Sequence, residues 1–137
     1  MRAQTIYDIT MSLMDERKND GSVDVNSTKD YLARSPGILT ILQTEIVMEL
    51  KRVGAKVNSL DEIRTITTDI DLEDDICFGI MPYGLASRLL AQEDTTLSNY
   101  FSSLYDNAFL RYLSQYKQLA EQEDREDAYD SLMRVGG

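Results

Sequence analysis

Residues 74–94 read DDICFGIMPYGLASRLLAQED, an apolar run broken by Gly79, Pro82 and Gly84. Its periodicity is helical: Ile76, Ile80, Tyr83 and Leu90, with Leu85, Ala86 and Leu89, recur at the three-and-four spacing of one helix face. Glu73, Asp74 and Asp75 place carboxylates at its start, where the positive end of a helix dipole favours them. One helix is expected here despite Pro82. Small residues at Gly79, Gly84, Ala86 and Ser87 allow another helix backbone to come close, so the glycines are expected to be packing notches rather than turn residues. A helix of that kind belongs at the centre of a fold.

The flanking segments are helical as well. Ahead of it, Ile6, Ile9, Leu13 and Met14 follow helical spacing, with Thr5 and Asp8 placed like a capping box, which predicts a first helix over about 5–18. NDGSVDVNS (19–27) offers turn chemistry, and Ser27 or Thr28 is the expected cap of a second helix. That second segment carries Tyr31, Leu32, Ile38, Leu39, Ile41, Leu42, Ile46 and Leu50 on a broad apolar face. Pro36-Gly37 interrupts it, and because an interior proline costs about 3 kcal/mol, a kink or a junction of two helices near Ser35 is expected. Lys51, Arg52 and Gly54 supply C-terminal chemistry, two cations at the negative end of the dipole and a glycine for a left-handed cap. The Thr- and Ile-rich connection after Lys56 has room for a short extended piece. Beyond 94, Thr95 or Thr96 is the expected cap of the longest periodic segment, with Leu97, Tyr100, Phe101, Leu104, Tyr105, Ala108, Tyr112 and Leu119 in helical register for about 35 Å. The fold expected is all-α: a small bundle of four or five helices over 1–120, with one long C-terminal helix and an acidic arm at 121–137.

Composition narrows the function. With 137 residues the chain suits one domain with a core of its own, and no apolar run approaches the roughly 20 residues of a membrane span. The first eighteen residues lack the uninterrupted apolar core of a signal peptide, so the protein is expected to stay in the cell that makes it. The net charge of −10, from 24 acidic against 14 basic residues, repels a phosphate backbone and disfavours direct nucleic-acid binding. Cys77 lies in an apolar run, where a buried and inert thiol is expected.

Candidate chemistry is sparse. The chain has no histidine, so the commonest general base and metal ligand are both absent and a Ser-His or Cys-His nucleophile is excluded. A calcium loop fails on register: with Gly21 at the sixth position, Lys18 falls at the third and Ser27 at the twelfth, where carboxylates belong. DIDLEDD (69–75) packs five carboxylates into seven residues, which an acid-rich helix start explains without an ion. GIMPYG (79–84) has neither the lysine nor the preceding strand of a phosphate loop. No enzyme activity, cofactor or metal is therefore expected. Of the tyrosines on the last helix, Tyr100 and Tyr105 are expected in the core, while Tyr112 and Tyr116 are expected to face a partner in part. Leu132, Met133 and Val135 end the acidic arm with apolar groups that have nothing local to bury against, and join Tyr112 and Tyr116 as candidate partner-binding residues.

The run Met81-Pro82-Tyr83-Gly84-Leu85-Ala86, the pair Glu93-Asp94, and then Phe101 and Tyr105 resemble a pattern in small structural proteins of tailed bacteriophages and prophages. The N-terminal stretch from Asn19 to Ile46, with its Thr28-Lys29-Asp30-Tyr31 lead-in, is similar to the start of such proteins from phages of Gram-positive hosts. The family so resembled is the head-tail connector, or adaptor. It implies a helical virion protein of the neck, made in the bacterial host cytoplasm, that forms a homo-oligomeric ring beneath the portal protein, meets other neck and tail proteins, and continues the DNA channel. No residue of the pattern is catalytic, and the last 25 residues fall outside it. The competing expectation, from composition, is a small acidic protein-binding module such as a DNA mimic or a regulatory inhibitor.

Overall fold

The computed structural model describes residues 2–15, 25–58 and 60–135, and within these the side chains of 3–15, 28–58, 60–119 and 122. The described residues form helices and connections, with no strand: α1 (Arg2–Leu13), α2 (Val25–Arg52), α3 (Asp74–Gly79), α4 (Met81–Leu90) and α5 (Thr95–Val135).

Everything is arranged around α4, which packs on each of the other four helices. Of its ten residues only Tyr83 and Arg88 are not buried. The stretch expected to be one helix is in fact two, because an uninterrupted helix would lose the amide bond at Pro82 and press its ring on the turn before. The chain breaks instead at Ile80 (φ −124°, ψ −55°), and Pro82 occupies the first turn of α4, where a missing N–H costs nothing. The two glycines differ. A Cβ on Gly84 would stand 2.7 Å from Leu42 Cδ2 and 2.9 Å from Tyr105 Cδ2, so α2 and α5 both close on α4 at that point. A Cβ on Gly79 would meet nothing within 4 Å; this residue ends α3 and is no packing notch.

α2 runs unbroken through Pro36, without a junction at Ser35. Leu39, Leu42, Ile46 and Leu50 make a fully buried stripe past the proline, and each such side chain contributes about 1.5–3 kcal/mol, together more than the roughly 3 kcal/mol that proline costs. The helix closes as expected on Gly54, at φ +92°, where Ala55 N–H reaches Leu50 O (2.9 Å) and Gly54 N–H reaches Lys51 O (3.1 Å). α5 is capped by Asp94 rather than by a threonine: its Oδ1 accepts the Leu97 amide at 2.9 Å. α1 begins before the expected Thr5, since its buried face is Ala3, Ile6, Tyr7, Thr10, Met11 and Met14 rather than the Ile9–Leu13 side. Residues 16–18 of the expected first helix and residues 19–24 of the expected turn lie outside the described residues. α2 already includes Ser27 and Thr28, which are therefore not its caps.

The connection from Val53 to Glu73 has no strand among its described residues but is held to α2. Thr40 Oγ1 donates to Ile63 O (3.2 Å) and accepts the Ile63 amide (3.0 Å), and Gln43 donates to Asp61 O (2.9 Å). Ile63, Ile70 and Leu72 drop into the core from it, alternating with exposed Asp69 and Asp71. Cys77 is buried, with its thiol 3.6 Å from Leu72 O. Ser87 and Ser98 fasten α4 to α5 reciprocally, each hydroxyl donating to the other's carbonyl, at 2.9 and 2.7 Å.

Candidate functional site

A groove of about 540 Å³ opens where α2 has ended and α5 passes over the start of α3. Leu50, Val57, Leu72 and Ile76 give it apolar surface; Asp71 and Glu73 stand on one side, Lys56 and Asn58 belong to the loop after the Gly54 cap, and Tyr112 and Tyr116 come from α5 one turn apart. The cap places this loop: a chain leaving α2 in the left-handed conformation turns back across the helix end instead of continuing along it.

Tyr112 is half-buried and its hydroxyl donates to Glu73 Oε2 at 2.8 Å. Burial pushes this hydroxyl above the usual tyrosine range, and the hydrogen bond to Glu73 and that residue's charge push in the same direction. It remains a protonated donor at neutral pH. A related contact lies deeper along α5, where Tyr105 reaches Glu45 Oε2 at 3.4 Å and Arg88 grips the same carboxylate through Nη2 at 2.9 and 2.7 Å. Burial raises the Tyr105 hydroxyl first, and Glu45 adds to it. That cluster joins α2, α4 and α5 and serves the packing. Among the described residues no group of three or more His, Cys, Asp or Glu side chains is placed to hold a metal ion.

A shallower depression of about 380 Å³ adjoins the groove, lined by Arg52, Val53, Gly54 and Lys117, with Gly54 common to both. Lys51 and Arg52 occupy the last turn of α2, so this end of the molecule gathers cations in an otherwise acidic chain.

Of the five candidate partner-binding residues, Tyr112 and Tyr116 are brought together in the groove, while the side chains of Leu132, Met133 and Val135 lie outside the described residues. Tyr100 corrects its expectation: it is 57% exposed and leans on Phe101, ring centroids 5.5 Å apart, whereas Tyr105 is in the core as expected. The last buried side chain described on α5 is Leu113, and Lys117, Gln118, Leu119 and Gln122 are all exposed. The helix itself continues to Val135, about 28 Å past Tyr116 at 1.5 Å per residue. Sequence reading found the tyrosines from their spacing but not the 54–60 loop, Glu73 or Lys117, which only the tertiary fold assembles. Compared with protein-family models, curated proteins and solved structures, the chain matches none. No helix among the described residues is long and apolar enough to cross a membrane.

Proposed function

We propose that the protein is a non-catalytic assembly subunit of a tailed phage, a head-tail adaptor working as a homo-oligomeric ring beneath the portal protein, with α5 beyond Tyr116 as its docking arm. The observation that carries this reading is the disproportion of α5. Its 41 residues span about 61 Å, yet its described buried side chains end at Leu113. A helix that outruns its own core needs a partner to cover apolar groups at its end, and Leu132, Met133 and Val135 are such groups. The resemblance of residues 81–105 to adaptor proteins supports the choice of assembly. The net charge of −10 suits a channel along which DNA slides without sticking.

The mass of the native protein, measured alone and mixed with a candidate portal protein, tests the proposal. An adaptor forms a ring-sized complex with the portal. A protein that stays monomeric with the portal, and instead captures a basic nucleic-acid-binding partner at one-to-one stoichiometry, is an acidic binding module and not an adaptor.

A further inference from the structure

We infer that the outer end of α5 is received by the basic end of α2 on a second copy of the chain, its apolar tip entering the Tyr112–Tyr116 groove. This rests on the assembly reading and names the contact between neighbouring subunits. The charges are complementary. Lys51, Arg52, Lys56 and Lys117 gather where α2 ends beside α5, and among them only Arg52 pairs with a described carboxylate, Glu49 at 2.7 Å. Residues 121–130 carry six acidic side chains against one basic, Arg125. The order along the chain is complementary too. The acidic run is followed by Leu132, Met133, Arg134 and Val135, and the basic depression adjoins, through Gly54, a groove with an apolar floor and two carboxylates, Asp71 and Glu73, that suit the one cation of the tip.

Geometry makes the donor a different molecule. Tyr116 and Val135 lie on one continuous helix about 28 Å apart, so the tip cannot return to the groove of its own subunit. A tip that docks on a different surface of the next copy makes a head-to-tail contact, and such contacts repeat until they close into a ring or run on as a filament.

Sedimentation mass of the full chain, with two charge-reversed variants, tests this. In low salt the wild type is expected to associate beyond a monomer and to dissociate in 1 M NaCl, since exposed pairs are screened there within about 3 Å. Lys56→Glu with Lys117→Glu reverses the receptor, and Glu123→Lys with Glu126→Lys reverses the arm. Each double variant alone is expected to associate at least tenfold more weakly with an unchanged melting temperature, and an equimolar mixture of the two to recover assembly, because both new contacts then join opposite charges. Wild type that associates while both variants associate as strongly overturns the docking contact and leaves the assembly reading standing. A mixture that fails to recover also overturns it. Wild type that remains monomeric in low salt overturns the docking contact, and overturns the assembly reading as well if no ring forms on adding the portal.

Discussion

α4 and the outer half of α5 are both helical, and they answer to opposite constraints. Eight of the ten residues of α4 are buried and four helices press on it, so its side chains are chosen by neighbours already present in the chain. Past Tyr116 every described side chain of α5, Lys117, Gln118, Leu119 and Gln122, is exposed. A residue in the first region is explained by what it touches. One in the second is, on the proposed reading, explained by a neighbouring subunit, which would put the fold and the function of this protein at different ends of the molecule.

Substitutions that treat the two regions alike would break that contrast. The largest effect is expected at Gly84→Leu, where even a Cβ would fall under 3.0 Å from both Leu42 and Tyr105; overpacking of this kind costs about 1–3 kcal/mol, and a thermal melt is expected to fall by roughly 5 °C or more. An unchanged melt would mean that α2 and α5 do not close on α4 there. Ser98→Ala removes the hydroxyl that donates to the Ser87 carbonyl, and chemical denaturation is expected to register about 1 kcal/mol lost.

Alkaline pH probes the tyrosines that tie α5 to the domain. Tyr105 and Tyr112 both have hydroxyls raised above the ordinary value near 10, so the folded state holds their protons more tightly than the unfolded state does. Their favourable contribution is complete below about pH 10 and is lost as pH climbs towards their folded values. Stability is therefore expected to decline above pH 10, and to decline less steeply in Tyr105→Phe, with Tyr112→Phe showing a smaller change because its ring is less buried. Parallel pH profiles for wild type and Tyr105→Phe would contradict this. The smallest effect belongs to Gly79→Ala. With open space around its Cβ position and no positive φ, equilibrium unfolding is expected to show anything from no change to a gain of about 1 kcal/mol, and a clear loss would show a contact there.

Those two glycines also mark how far the sequence can be read. In the sequence Gly79 and Gly84 are equivalent, small residues five apart in an apolar run, and only the arrival of Leu42 and Tyr105 makes one a notch and leaves the other in open space. Helical periodicity was enough for the all-α class and the central place of residues 81–90, but not for the full length of the last helix: the apolar spacing stops at Leu119, whereas α5 continues through the acidic 121–130 stretch to Val135. It could not place the break at Ile80, since Pro82 fits either a kinked helix or the first turn of a new one. Pro36 looks just as disruptive on paper, but α2 passes through it on the strength of Leu39, Leu42, Ile46 and Leu50. The groove was half legible. Tyr112 and Tyr116 lie on a periodic element, whereas the 54–60 loop and Glu73 have no repeat to betray where the Gly54 turn sends them.

The central claim is that the outer half of α5 assembles and does not fold. The direct measurement is the native mass, with portal protein present, of a chain ending at Ala120, beside its melting temperature. The account predicts a melt within about 2 °C of the full chain, as for changes that leave the core untouched, together with loss of the ring-sized complex. A truncated chain that still forms that complex at full occupancy, or that no longer unfolds cooperatively, would contradict it.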